Sequence, residues 1–203
     1  MNSEMIEIFL FIDPLGNECC KTVQTLSHVL EDRKEKIIFR IIPIVNIHKI
    51  KKAVKQGSFV TEGSSLDRQN HLYMNTYQAA LAFIAASMQG KQKGEVLLQL
   101  LQEKVVHDHQ IYSENLLLDI VRQMDLDWET FIEDFHSDLA KSCFQRNQKL
   151  AAEMNIHCTP SCVVIHTSDI RRAYRLDDKI EESTLNYLID LNHPNQNCHY
   201  YYF

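Results

Sequence analysis

The sequence predicts an α/β fold in which a single sheet is divided by a long, all-helical insertion. Two apolar runs, residues 6–12 and 37–45, lie on either side of a helical pattern and predict a right-handed βαβ unit. Residues 66–136 then keep their apolar side chains at helical spacing, without a strand pattern. A further apolar strand at 162–166, a hairpin partner at 170–176 and a last helix complete the predicted fold.

Length and composition limit the classes of protein that fit this chain. Its 203 residues suit one domain with an insertion, and its 24% charged and 45% apolar residues are ordinary for a globular protein. A net charge of −6 argues against a nucleic-acid partner. No apolar run approaches the roughly 20 residues that cross a bilayer, and the first residues lack a signal-peptide pattern. We therefore expect a cytoplasmic protein without a membrane partner, whose six cysteines are thiols.

The first half of the core is predicted from hydrophobic periodicity and from proline. The run at 6–12, interrupted by Glu7, is typical of a strand buried on both faces, and Pro14 ends it. A helical stripe follows, made of Val23, Leu26, Val29 and Leu30. After the second strand, four lysines predict one solvated helix face: Lys49, Lys51, Lys52 and Lys55.

The insertion is predicted from helical spacing and capping residues. Its first helix carries apolar side chains at Tyr73, Tyr77, Leu81, Ile84 and Met88. Gly90 and Gly94 are expected to separate this helix from another at 96–105. Ser113 and Asp127 are expected to cap two more helices.

The return to the core is predicted as a long helix over residues 138–155. Its inward face is expected to carry Leu139, Cys143, Leu150 and Met154. The predicted organisation is a core of residues 1–65 and 137–191, a helical insertion of residues 66–136, and a tail of residues 192–203.

The turn after the first strand has the layout of a dithiol redox site, but not its residues. Such a site needs C-x-x-C at a helix N-terminus, where an attacking thiolate is stabilised and a second thiol resolves the mixed disulfide. Here the frame reads Gly16-Asn17-Glu18-Cys19, so only the second cysteine is present. Cys20 points about 100° away from Cys19 on a helix and does not replace the missing thiol. We therefore predict no catalytic residue, and Cys19 is either a small packing residue or a reactive thiol.

Thr159-Pro160, just before the last apolar run, is a second signal. A peptide bond before proline is the setting in which cis bonds occur in proteins. On its own this step is also typical of an ordinary loop. Together with the strand, turn and cysteine of residues 6–20 it becomes more specific.

With these two segments, the chain resembles the thioredoxin-like DsbA family. The resemblance covers nearly the whole chain, including the insertion, and implies a thioredoxin-like fold. It also implies a cis-proline loop at Thr159 and Pro160 that faces the helix starting near Gly16. Further matching positions are Asp127, Phe131, Phe135, Ala151, Ala152, Met154 and residues 156–164.

Within this family, the run from Phe11 to Cys19 is most similar to cytoplasmic adaptors that present the stress transcription regulator Spx to the ClpXP protease. Their motif commonly reads Asp-Pro-Leu-Cys-x-x-Cys, which this chain matches except at Gly16. The resemblance implies an adaptor with Spx and, through it, ClpXP as partners. We predict neither a cofactor nor a metal for this chain. The candidate partner-binding face is Asp13, Pro14, Leu15 and Pro160.

The chain departs from the family pattern in three ways. Gly16 removes dithiol chemistry but is compatible with an adaptor function. Cys158 stands where the family usually has a small residue before Thr-Pro. The His-rich first segment of some adaptors is absent, which argues against metal sensing of their kind.

Two other functions stay open at this point. The chain could be a DsbA-like thiol–disulfide oxidoreductase or isomerase that uses Cys19 or Cys20 as a single thiol, with glutathione as a co-substrate. It could also be a stress sensor whose cysteines oxidise and change its affinity for a partner. A fast-reacting cysteine of depressed pKa would favour the oxidoreductase.

Three further clusters have a functional and a structural interpretation. Cys158, Cys162 and His166, with His157 beside them, suggest zinc, but a strand and a proline separate them, and packing cysteines explain them as well. Residues 107–109, His-Asp-His, suggest a metal site or a solvated loop. The aromatic end at residues 200–203 fits a docking segment, a disordered end or a segment packed on the domain.

Overall fold

The computed structural model describes residues 5–31, 33–56, 63–167 and 173–191. The strands are β1 Met5–Ile12, β2 Lys36–Pro43, β3 Ser161–His166 and β4 Ala173–Asp177. The helices are α1 Asn17–Glu31, α2 Ile47–Lys55, α3 Ser65–Met88, α4 Lys91–Gln102, α5 Glu114–Arg122, α6 Trp128–His136, α7 Asp138–Glu153 and α8 Glu182–Ile189. A π-helical segment, Glu103–His107, continues α4.

The described strands form one sheet in the order β2-β1-β3-β4. β1 and β2 pair in parallel, from Met5 opposite Lys36 to Ile12 opposite Pro43. β3 pairs antiparallel with both β1 and β4. The predicted order of a βαβ unit, a run of helices, an antiparallel pair and a last helix is confirmed.

β1 is the centre of the hydrophobic core because both of its faces are covered. Its even-numbered side chains, Ile6, Ile8, Leu10 and Ile12, belong to the larger cluster, with α1, α8 and the helices between β2 and β3. Phe9 and Phe11 point to the other face and pack with Ala151 of α7. This alternation follows from the two-residue period of a strand. It explains why the apolar run at 6–12 is nearly continuous.

Side-chain caps fix the starts of several helices between β2 and β3. The Ser113 hydroxyl accepts from the Leu116 amide at 3.2 Å, and the Asp127 carboxylate accepts from the Thr130 amide at 2.7 Å. Both predicted caps are confirmed. Ser64 and Asp67 form a reciprocal capping box at the start of α3.

Two predictions about helix faces are wrong. Gly94 does not end a helix but lies buried inside α4, where a Cβ atom would lie 1.9 Å from the Ser87 hydroxyl. Leu139 is 57% exposed, and α7 instead buries Ala140, Phe144 and Ala151. In both cases, the neighbouring helix decided the outcome, and the sequence pattern does not specify that neighbour.

Some predictions fall partly outside the described ranges. These are residues 170–172 of the predicted hairpin partner and the predicted tail with its aromatic residues 200–203. The second predicted strand, 37–45, ends earlier than expected, at Pro43. None of the described helices is both long and apolar enough to cross a membrane.

Candidate functional site

The candidate site begins at the turn that joins β1 to α1. Asp13 shapes this turn, because its carboxylate accepts from the Leu15 amide at 3.0 Å and its carbonyl accepts from the Gly16 amide at 3.0 Å. The Cys20 amide then donates to the Gly16 carbonyl at 2.9 Å, which starts the helical ladder. The turn formed by Asp13 to Gly16 therefore places residue 16 at the N-terminus of α1.

Gly16 lies three residues before Cys19, where a C-x-x-C motif that ends at Cys19 would begin. A Cβ atom placed there would lie 3.2 Å from the Cys19 sulfur and 3.3 Å from the Lys49 ammonium. A side chain at this position would therefore contact the remaining thiol and a positive charge. Because residue 16 is glycine, it places no second thiol beside the Cys19 sulfur and the Lys49 ammonium.

Cys19 is fully buried beneath this turn. Its sulfur accepts from the Asp13 amide at 3.3 Å. Burial raises the pKa of the Cys19 thiol to about 12, and the Lys49 charge and hydrogen bonds from Asp13 and Thr159 oppose the rise only in part. The thiol therefore stays protonated at neutral pH, which favours packing over reactivity.

Lys49 links α2 to the proline loop. Its ammonium donates to the Thr159 carbonyl at 3.1 Å and to the Thr159 hydroxyl at 3.4 Å. Asn46 caps α2 through the Lys49 amide and donates to the His157 carbonyl at 2.8 Å. The Thr159–Pro160 peptide bond is cis. These contacts hold the loop across from the turn at Gly16.

Lys49 was predicted to lie on a solvated helix face, and that prediction is wrong. The side chain is half-buried and faces the site. The signal was present in the sequence, because Asn46, Lys49 and Ala53 share one helix face by spacing. The sequence does not show that the proline loop lies opposite this face of α2.

The Asp13 carboxyl lies in the same pocket as Lys49. Burial raises the pKa of Asp13, while the Lys49 charge, the Leu15 amide and a hydrogen bond from Thr76 lower it by a smaller amount. The Lys49 charge therefore acts on both the Asp13 carboxyl and the Cys19 thiol. Sequence reasoning missed Thr76, which is buried in α3.

The four residues of the predicted partner face differ in exposure. Pro14 and Pro160 are buried, whereas Asp13 and Leu15 are partly exposed. The Pro14 carbonyl accepts from the buried Gln102 side chain at 3.3 Å. The structure places these residues around one turn and one loop, with the prolines beneath the surface.

Cys20 has a separate contact, with the helices between β2 and β3. Its sulfur lies 3.6 Å from His107 Nε2 at the end of the π-helical segment. The thiol is 1% exposed, and burial raises its pKa. Asp108 pairs with Lys104 at 2.9 Å, so the His-Asp-His run does not converge on one point.

The Cys158, Cys162 and His166 positions do not form a metal site. Cys162 is buried in the larger core, and burial raises its pKa to about 12. Cys158 contacts Ser161, while His166 Nε2 lies 2.9 Å from the Leu188 carbonyl. Within the described ranges, no three His, Cys, Asp or Glu side chains are grouped to hold a metal ion.

A thioredoxin family model, Thioredoxin_5, matches residues 9–185, which include the turn, Cys19 and the cis-proline loop. The chain belongs to this thioredoxin family. The sheet order, the helix that starts at Asn17 and the facing cis-proline loop are therefore a thioredoxin-like arrangement, as the sequence predicted. The helices between β2 and β3 are added to that arrangement.

Two curated relatives of the chain share a name. The chain is 30% identical over 176 residues to the ClpXP adapter protein SpxH of Bacillus subtilis, covering 80% of this chain and 59% of that protein. It is also 30% identical over 158 residues to SpxH of Staphylococcus saprophyticus, covering 78% and 55%. The chain thus spans less than two thirds of the length of these relatives.

Solved structures show the same fold at low identity. A thioredoxin-like oxidoreductase from Silicibacter pomeroyi superposes with a TM-score of 0.61 at 19% identity, covering 91% of this chain and 84% of that one. DsbA from Pseudomonas aeruginosa gives 0.61 at 17% identity, covering 94% and 86%. These similarities establish a DsbA-like fold for this thioredoxin-family chain.

Proposed function

We propose that this chain is a non-enzymatic adaptor that binds the transcription regulator Spx and promotes its degradation by the ClpXP protease. The observation that carries the proposal is Gly16 beside a buried Cys19. Residue 16 carries no thiol, and burial keeps the Cys19 thiol protonated at neutral pH. The relatives named ClpXP adapter protein SpxH support the choice of protease and client. With these partners, we also propose a cytoplasmic location.

The proposed client face is the turn and the loop at the end of β1. Leu15 supplies an apolar, partly exposed side chain, and Asp13 lies beside it. Pro14 and Pro160 form the buried floor, so substitutions there would act through the shape of this face. Without a thiol at position 16, the contact with the client is non-covalent and reversible.

The test is a degradation assay with purified Spx and ClpXP. We expect the chain to accelerate loss of Spx several-fold, and a Cys19→Ala, Cys20→Ala variant to accelerate it equally. Leu15→Asp should weaken the acceleration because it places a charge on the apolar face. Leu116→Asp, at another half-buried leucine outside the site, is the matched control. Equal rates with and without the chain, while Bacillus subtilis SpxH accelerates the same reaction, would refute the adaptor proposal.

A thiol titration separates this proposal from the single-thiol oxidoreductase. We expect the half-buried Cys143 and Cys158 to react before Cys19 with iodoacetamide at neutral pH, because Cys19 is buried and protonated. A Cys19 or Cys20 that reacted first, with an apparent pKa below that of a free thiol, would favour the enzyme instead.

A further inference from the structure

The outer edge of β2 forms the floor of a groove with a volume of about 610 Å³. β2 is an edge strand of the described sheet, because its only strand neighbour there is β1. One wall comes from the end of α3 and the start of α4, including Phe83 and Lys91. The other wall comes from α7, including Asn147 and Leu150. None of these residues belongs to the candidate site at the turn and the proline loop.

The backbone of β2 directs alternate peptide groups into this groove. The Ile44 amide donates to the Ile12 carbonyl at 2.9 Å, so even-numbered residues face β1. The odd-numbered residues of β2 therefore direct their N–H and C=O groups outward, by the alternation of a strand. At Ile37, Phe39 and Ile41, these groups have no hydrogen-bond partner among the described residues.

Pro43 and Asn147 mark one end of the open edge. Pro43 has no N–H to donate, and it occupies an outward-facing position, where proline is tolerated in an edge strand. Its carbonyl accepts from the Asn147 side chain at 3.4 Å. The open edge is therefore the part of β2 before Pro43, and its unpaired groups can form a strand ladder.

The groove is apolar with a positive charge on each side. Arg40 lies 5.6 Å over the Phe9 ring on one face of the sheet, and Lys91 lies 5.6 Å over the Phe39 ring on the other. Glu95 pairs with Lys91 at 3.5 Å. No carboxylate in the described part of the chain pairs with Arg40. The groove therefore has one uncompensated positive charge beside its apolar floor.

We propose that the outer edge of β2 binds an extended, acidic segment of another polypeptide as an added strand. Main-chain hydrogen bonds to Ile37, Phe39 and Ile41 would give the affinity, and a carboxylate beside Arg40 would set the specificity. A second copy of this chain fits less well, because β2 paired with itself would bring Arg40 and Lys91 of both copies together. The proposal does not depend on Spx or ClpXP as partners.

The test uses a fluorescein-labelled peptide of eight residues, the length of β2, in which valine alternates with glutamate and threonine. We expect saturable binding by anisotropy. Arg40→Glu should weaken binding about tenfold or more, and a peptide with lysine in place of glutamate should bind this variant better than it binds the wild type. Lys36→Glu is the matched control, because it makes the same charge change on β2 outside the groove.

Amide exchange by NMR gives a second readout that does not depend on charge. The amides of Ile37, Phe39 and Ile41 should exchange rapidly in the free protein and slowly with the peptide, whereas those of Ile38 and Arg40 should be protected in both. Ile41→Pro removes one outward N–H without breaking the ladder to β1, as Pro43 already does. Its circular dichroism spectrum would establish that it is folded, and it should then lose peptide binding.

Three results would overturn the proposal. The first is equal weakening by Arg40→Glu and Lys36→Glu. The second is undiminished peptide binding by folded Ile41→Pro. The third is protection of the outward amides that grows with protein concentration in the absence of peptide, which would make a second copy the occupant.

Discussion

Gly16 has a buried thiol and a positive charge close to the place where a side chain would begin. The turn, the start of α1, Cys19 and the cis proline lie close together, and Lys49 adds a positive charge 3.3 Å from where a Cβ at residue 16 would lie. A cation at this distance stabilises a thiolate. A cysteine at residue 16 would therefore lie beside both the Cys19 thiol and the Lys49 charge.

Gly16→Cys should restore a disulfide with Cys19. The 3.2 Å between a Cβ at residue 16 and the Cys19 sulfur is close to the separation of about 3 Å found across a disulfide. We expect oxidised glutathione to convert the variant to a form with two fewer hydrogens and two fewer titratable thiols, measured by mass spectrometry. Gly16→Ser is the control of similar size. A Gly16→Cys variant that formed only a stable mixed disulfide with glutathione would contradict this geometry.

At the scale of elements, close packing of α3 against α4 explains a glycine that the sequence pattern misplaces. Gly94 lies inside α4, and a Cβ there would meet the Ser87 hydroxyl and, at 3.1 Å, the Phe83 carbonyl. Ser87 itself donates to the Phe83 carbonyl at 2.7 Å. The absence of a side chain at Gly94 therefore lets α4 pack closely against α3. This packing explains why α4 contains glycine, which has a low helix propensity.

Gly94→Ala should lower the free energy of unfolding by about 1–3 kcal/mol, although alanine is the better helix former. The added methyl group overlaps Ser87, and α3 and α4 have to separate. Urea denaturation would measure the change. Gln92→Ala, on the exposed face of the same helix, is the control and should change little. If the overlap is the cause, adding Ser87→Gly to Gly94→Ala should recover part of the loss; a double variant no more stable than Gly94→Ala would contradict this.

At the scale of the whole molecule, the buried thiols make folding sensitive to alkaline pH. Cys19 and Cys162 have pKa values raised from 9.0 to about 12, in both cases chiefly by burial. They lie in one continuous core, with Cys162 on β3 directly opposite Leu10 of β1. Ionising either thiol places a charge inside the buried core, which is costly, and at Cys19 the Lys49 charge offsets this cost only in part.

The free energy of unfolding should therefore fall as pH rises above 9. The unfolded chain loses these protons near pH 9 and the folded chain keeps them to about 12, so the unfolded state binds fewer protons in this window. The contribution is fully present below pH 9 and falls by up to about 1.4 kcal/mol per pH unit for each thiol. Urea denaturation at several pH values would measure the slope. Cys162→Ala should flatten it, and an unchanged slope would show that this thiol titrates normally.

The sequence by itself determined the order of the elements, the caps at Ser113 and Asp127, and the family. The two-residue and helical periods of apolar side chains predict which face of a strand or helix is buried, and they predicted β1 and the order of the elements. The residue types at the helix starts predicted the caps at Ser113 and Asp127. The lack of a thiol at residue 16 is also read directly from the sequence. The division into a core and a helical insertion stays a prediction from the same patterns.

Only the tertiary structure decided which faces meet. The contact of Lys49 with Thr159 is not visible in the sequence, where Lys49 resembles the exposed lysines near it. The close approach of Gly94 to Ser87 is likewise not visible there, and the glycine alone suggests a helix end. The raised pKa of Cys19 depends on burial beneath Asp13, and the open edge of β2 depends on the absence of another strand beside it in the described sheet. These properties arise from contacts between residues far apart in the chain, which local periodicity does not encode.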